Sequence, residues 1–332
     1  MLTDARVESL PNGVVLARAI DGPGIDPASP VEAIGRAPET GGWAWLHLSF
    51  HADAVRRWLR EGSGIPEEAV ESMLADETRP RCRLWPTGVL FIARGVNLDP
   101  ASTPEDMISM RAWLEERRLI TVVLRRLRSA EDVASRIDAG EAFEGPGEVL
   151  VAMLERIGFR MAETVGDIGD ALETLRERII DEEVVVTTSE LAALRLRAVT
   201  LSRYAVPLRS ATHELGSAPQ TGPLGESARD RVREVQNQLA RITEDLAAID
   251  ARADVARDEL ASQASDRLNK RVYALTVLTA IFLPLSFLTG LLGINVGGMP
   301  GVESGAAFWV VCGLLVAVAA LTLLLLHRRG WI

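Results

Sequence analysis

The hydrophobic pattern of this chain changes character near residue 270. Before that point, apolar residues recur at short intervals among many charges. After it come two runs, 272–292 and 304–326, with no charged residue in either. A helix of about 20 residues crosses a hydrocarbon core roughly 30 Å thick, so the pattern predicts two transmembrane helices. Upstream of Lys270 there is no proline or glycine until Gly225, and Val232, Val235, Leu239, Ile242, Leu246, Ile249, Ala253, Ala256 and Leu260 alternate three and four apart. That spacing is a heptad seam on a stalk helix over 226–271. Unbroken from Glu226 to Leu292, the helix would be about 100 Å long at 1.5 Å per residue. The seam fits two arrangements: packing on a helix of the same subunit, or additional packing around a symmetry axis.

A second helical region runs from about Pro146 to His213, and D-E-E-V-V-V-T-T (181–188) divides it. The turn-rich segment G-S-A-P-Q-T-G-P-L-G-E (216–226) leads into the stalk and predicts antiparallel neighbours. Residues 1–145 read as a compact α/β domain. Strands are expected over 14–19, 44–48, 89–96, 108–113 and 119–124, with helices starting near Ala52, Pro66 and Ser129. Turn signals at Thr87-Gly88 and at 115–117 point to an antiparallel or mixed sheet. The predicted fold class is an α+β cytoplasmic domain followed by long stalk helices and two C-terminal transmembrane helices. The domains are 1–145, then 146–271 with the stalk, a first span at 272–292, an outer loop at 293–303, a second span at 304–326 and a basic tail at 327–332.

Charge orients the two spans. Lys270 and Arg271 precede the first, Arg328 and Arg329 follow the second, and the connection carries only Glu303. Positive flanks stay inside, so both termini are expected in the cytoplasm and the 293–303 loop outside. The N-terminus M-L-T-D-A-R-V-E has no basic stretch leading an apolar core, so no signal peptide is expected. Trp309 and Trp331 are candidate interface anchors. Pro284, inside the first span, removes a hydrogen bond to the Ala280 carbonyl, so the helix is expected to bend there.

The net charge of −10 across 332 residues argues against a nucleic-acid partner. Cys82 and Cys312 lie in different surroundings and read as packing thiols rather than a disulfide or a metal pair. His47 and His51 have the four-residue spacing of a helical zinc pair, but a strand end and a helix start spoil the shared face. No G-x-S-x-G, H-E-x-x-H, P-loop or C-x-x-C motif occurs. Nothing points to an enzyme, and no cofactor is expected.

Two features carry candidate chemistry. Asp250, Asp254, Asp258 and Asp266 share one face of the stalk, four or eight residues apart. They read either as a solvated face or as a wall that collects cations at a pore entrance. The other is L-T-G-L-L-G-I-N-V-G-G-M-P-G (288–301), which sets Asn295 among five glycines and a proline.

This whole arrangement resembles the CorA superfamily of divalent-cation transporters, along the full chain. Its most specific part is 288–301. The magnesium branch usually carries Gly-Met-Asn there, whereas Gly293-Ile294-Asn295 and the glycine-rich tail look like the ZntB zinc branch. Thr78-Arg79-Pro80-Arg81 and the terminal His-Arg-Arg-Gly-Trp-Ile are similar to that branch as well. The resemblance implies a funnel-shaped homopentamer in a bacterial inner membrane, with the first spans lining a pore. On that reading, Asn269, Val272, Leu275, Thr279, Leu283, Ser286 and Gly290 form the pore face, with a hydrophobic constriction near Leu275 and Val272. Asn295 would stand in a ring of amides at the outer mouth, holding the cation through its water shell, with Gly293 and Ile294 beside it. A turn-only Asn295 is the other reading. The transported ion implied is zinc, with or without proton coupling. The alternatives are a magnesium, cobalt or nickel channel of the same superfamily, or a membrane-tethered sensor or scaffold. Neither span holds an Asp, Glu or His to relay protons, so coupling would need a group such as Glu303 or a stalk carboxylate.

Overall fold

The computed structural model describes residues 13–20, 29, 31, 35, 41–181, 186–219, 222–294 and 304–331. These fall into two compact units, Met1–Ala256 and Arg257–Ile332.

The first unit is built on a six-stranded sheet. Its strands are β1 (Val14–Ile20), β2 (Trp43–Ser49), β3 (Arg81–Trp85), β4 (Gly88–Gly95), β5 (Ile108–Leu114) and β6 (Arg118–Val123), in the order β1-β2-β6-β5-β4-β3. All neighbours pair antiparallel except β2 and β6, which pair parallel. The sheet is therefore mixed, as expected. Every residue of β2, β5 and β6 is buried. These strands are apolar with little alternation because both faces of the sheet are covered. On one face, α1 (Asp53–Glu61) and α2 (Glu67–Met73) place Val55, Trp58, Leu59, Val70 and Met73 in a core with Leu46, Leu48, Ile92 and Trp113. After α3 (Arg128–Asp138), the helix α4 (Pro146–Ile180) packs on β2, β4, β5 and β6, and α5 (Thr188–Gly216) packs on β3 and β4.

The sequence reading lacks β3. Its pattern is Arg81 exposed, Cys82 buried, Arg83 and Leu84 exposed. A charged edge strand has only one inward position of this kind, so its hydrophobic signal is weak. Cys82 lies opposite Phe91 in the β3–β4 pairing, and burial, with the Glu214 carboxylate nearby, pushes its thiol up to about 12. It is a packing thiol, as read from the sequence.

Local chemistry explains the helix ends. Pro146 opens α4, where its missing N–H would have had no partner. Thr187 caps α5 by accepting from the Glu190 N–H at 3.4 Å, and the Thr187 hydroxyl lies 3.1 Å from the Glu190 carboxylate.

The helix α6 (Glu226–Leu292) is a single element of 67 residues that begins in the first unit and ends in the second. Val232, Val235, Leu239, Ile242, Leu246, Ile249, Ala253 and Ala256 are all buried, and Leu260 is half-buried. Their partners lie within the chain. A Cβ at Gly158 of α4 would come within 2.6 Å of the Gln238 side chain, so glycine permits the α4–α6 approach. The Arg231 guanidinium donates to both Glu155 oxygens (2.8 and 2.6 Å), and Gln236 donates to the Thr212 carbonyl of α5 at 3.0 Å. As far as Ala256, then, the seam is satisfied inside one subunit, which is the plainer of its two readings.

The second unit contains the remainder of α6 and α7 (Ala307–Arg328). No residue from Arg257 onward is buried among those described. In α6 the half-buried stripe is Val277, Ile281, Pro284 and Leu288; in α7 it is Val311, Leu315, Val318, Thr322 and Leu326. Both repeat at three and four residues, the period of one helix face.

His47 lies within β2, not at its end, and is only 3% exposed, while His51 is exposed. His47 Nδ1 is 2.7 Å from the Thr121 hydroxyl, which also accepts from the Trp45 indole at 3.0 Å. Burial lowers the imidazole pKa to about 4. The unfolded chain takes up this proton near pH 6.5, so the neutral form stabilises the fold fully above that pH. The contribution is lost as pH falls toward 4, by about 2 kcal/mol at pH 5. Unfolding followed by tryptophan fluorescence at pH 7.5 and pH 5 should show this loss in the native chain and a smaller one in His47→Asn. Equal losses would place the pH sensitivity elsewhere.

Candidate functional site

The candidate path lies on the membrane-spanning part of α6. Asn269, Val272, Leu275, Thr279, Leu283, Ser286 and Gly290 are all exposed, and none falls in the half-buried stripe through Val277, Ile281, Pro284 and Leu288. Helical spacing places them on the opposite side, free to face a pore, another copy or lipid. Exposure alone does not single them out, since Leu278, Phe282 and Phe287 are also exposed. Small and polar groups alternate with apolar ones on this face, and exposed Phe282, seven residues from Leu275 and four from Ser286, borders it.

The hydroxyl of Thr279 donates to the Leu275 carbonyl at 2.8 Å. Its proton is therefore satisfied inside the helix, as required away from water. The oxygen lone pairs remain, so Thr279 presents an acceptor outward. A cation or the water around it needs that polarity. Toward the end of the helix, Gly293 N–H donates to the Gly290 carbonyl at 3.2 Å. A Cβ at Gly293 would lie 3.0 Å from the Thr289 carbonyl, so a larger residue would crowd the last turn. Ile294 follows, 47% exposed. Asn295 and Glu303 lie outside the described residues.

The aspartates of α6 do not form one uniform stripe. Arg195 of α5 reaches two of them: its Nε donates to Asp250 at 2.8 Å, and its terminal nitrogens donate to Asp254 at 2.6 and 3.2 Å. These bonds raise the Arg195 pKa, Asp250 contributing the largest share. Asp258 lies 3.2 Å from Arg257, and Asp266 is exposed. Two of the four carboxylates thus share a cation with α5, Asp258 lies beside its neighbour Arg257, and Asp266 is exposed. Arg195 was absent from the sequence reading. It lies 55 residues before Asp250 on another helix, and no local pattern connects them. Among the described residues, no group of three or more His, Cys, Asp or Glu could hold a metal ion. Both α6 and α7 are long and apolar enough to cross a membrane.

Comparisons with known proteins agree with this architecture. A family model described as CorA-like Mg2+ transporter protein matches residues 40–328. The divalent cation transporter CmaX of Pseudomonas aeruginosa is 33% identical over 290 residues, 87% of either chain. The zinc transport protein ZntB of Yersinia pseudotuberculosis is 28% identical over 318 residues, 96% of either chain. The solved structure of full-length CmaX superimposes with a TM-score of 0.81 at 31% identity, covering 96% of this chain and 98% of that one. The CorA magnesium transporter of Methanocaldococcus jannaschii shares the fold, with a TM-score of 0.80 at 18% identity over 96% of this chain and 99% of that one. An α/β domain, a long helix that enters the membrane and a second apolar helix at the end recur in these structures, and by sequence and fold this transmembrane chain belongs to the CorA-like Mg2+ transporter protein family.

Proposed function

We propose that this protein carries divalent metal cations, zinc foremost, across a bacterial inner membrane, in a homopentamer whose five first spans surround the path. The observation that carries this reading is the exposed, charge-free face of α6 through 269–290, which leads into Gly293-Ile294-Asn295 in a chain of this family. Five copies of Val272 and Leu275 would form a constriction that opens by wetting. Thr279 and Ser286 would offer oxygen to a hydrated ion beyond it. Five Asn295 amides would hold that ion at the outer mouth without a charge to trap it. Lys270, Arg271, Arg328 and Arg329 at one end, against a loop lacking Lys and Arg, support cytoplasmic termini.

Zinc is supported by Ile294 in place of methionine and by the name of the ZntB relative. A specific observation favours the second reading, transport of magnesium or another hard ion. The α6 face offers oxygen and no thiol or imidazole, a donor set that suits hard or fully hydrated cations.

In liposomes with a zinc-sensitive dye inside, the native chain should admit zinc, and Asn295→Ala should slow entry about tenfold, the worth of roughly 1.4 kcal/mol at the mouth. The same vesicles loaded with a magnesium dye, under an imposed pH gradient, separate the two ions and reveal coupling. Vesicles impermeable to both ions would leave the spans as a tether. For the stalk carboxylates, Asp258→Asn with Asp266→Asn should reduce flux a few-fold while leaving thermal stability unchanged, because neither holds Arg195. Asp250→Asn with Asp254→Asn should instead lower stability by releasing Arg195. Unchanged flux in the first pair would return those residues to a solvated face. The mass in detergent should be five times the 36.0 kDa protomer, and a stable monomer or dimer would remove the pore.

A further inference from the structure

The basic end of the two membrane helices is more ordered than a positive flank requires. The helix α7 ends in a Schellman motif. Gly330, at φ +71°, reverses the chain; its N–H donates to the His327 carbonyl at 3.0 Å, and the Trp331 N–H donates to the Leu326 carbonyl at 2.9 Å. A side-chain-bearing residue at Gly330 would be strained. The reversal turns Trp331 back along the helix, where its ring lies 6.5 Å from that of Tyr273 on α6. Thr322, Leu325, Leu326, Arg329 and Trp331 then line a cavity of about 250 Å³. Its lining is mostly apolar, with Thr322 and Arg329 as its polar and charged members.

The Tyr273–Trp331 contact brings the two basic pairs to the same end of the helix pair. Lys270 and Arg271 lie within one turn of Tyr273, and Arg328 and Arg329 within one turn of Trp331. All four are exposed, and none is paired with a carboxylate among the described residues. Elsewhere in this chain arginines are commonly matched, as at Arg18–Asp138, Arg125–Asp106 and Arg231–Glu155. A positive flank satisfies the rule of orientation without a reversed chain, an aromatic pair or a cleft. A cluster of unmatched cations beside an apolar cleft, at the level where a membrane helix meets headgroups, has the complementary shape of an anionic phospholipid.

We propose that this end of the molecule is a binding site for an anionic phospholipid, with Arg329 holding the phosphate and the cleft of Leu325, Leu326 and Trp331 taking the start of an acyl chain. Arg328, Lys270 and Arg271 add to the attraction without lining the cleft. The site rests only on the two helices crossing a membrane, and it is tested without ion flux, so it stands or falls apart from the choice of cation.

The test uses the full chain carrying Trp309→Phe, which leaves Trp331 as the tryptophan of the membrane helices. It is reconstituted in phosphatidylcholine vesicles containing a small fixed fraction of acyl-brominated phosphatidylglycerol, or the same fraction of acyl-brominated phosphatidylcholine. Bromine close to the indole quenches its fluorescence. The expected result is stronger quenching by the phosphatidylglycerol, with a preference that falls about fivefold in Arg329→Gln and survives in Arg329→Lys, since one cation near the surface is worth about that factor. A chain with Trp331→Phe that keeps Trp309 should show no such preference, as it reports the other end of α7. If Arg329→Gln does not insert, Lys270→Gln with Arg271→Gln tests the same attraction. Equal quenching by the two lipids, or a preference unchanged in both sets of variants, overturns the proposal. So does a preference erased by inorganic phosphate, which would assign the cations to the free ion.

Discussion

The structure depends on the burial of one helical seam. From Val232 to Ala256, α6 gives every third or fourth side chain to α4 and α5, and this burial of Val, Leu and Ile is what holds the long helix to the sheet unit. A helix of 67 residues has no stability of this kind from its own hydrogen bonds, because those are largely exchanged with water in the unfolded chain. Beyond Ala256 the rule changes. No described side chain there is buried, and from Val272 to Leu292 none is charged on any side of the helix, so that part of the same helix is built for a medium that is itself apolar. There, internal hydrogen bonding is required, and Thr276, Thr279 and Thr289 each donate back to a carbonyl of the previous turn.

The two media also govern charge. In the sheet unit and along its helices, arginine is commonly met by carboxylate, often through two nitrogens. Arg195 takes up two of the four aspartates that share one side of α6. At the membrane end, the four cations have no such partner among the described residues.

Much of the fold was legible in the sequence. The five strands read from alternation and apolar runs all exist, shifted by a residue or so at their ends. The stalk seam was visible because a period of 3.5 over many turns has few other causes. The strand β3 was not visible, because an edge strand with one inward cysteine and two exposed arginines resembles a loop. His47 was placed at the end of a strand and lies inside one: its neighbours Trp45 and Thr121 hold it in the sheet, and the latter is 74 residues away.

The sequence by itself determined the quantities that depend on local order: where helices start and stop, which runs can cross a membrane, and which ends of those runs are basic. Only the tertiary structure decided which charges are free. Asp250 and Asp254 read as equals of Asp258 and Asp266 in a helical projection, yet a guanidinium from another helix holds the first two. In the same way, Trp331 reads as a generic interface anchor until Gly330 turns it onto Tyr273. Both outcomes arise because side chains far apart in sequence meet only when helices pack, and the energy of a charge or a ring depends on what it meets.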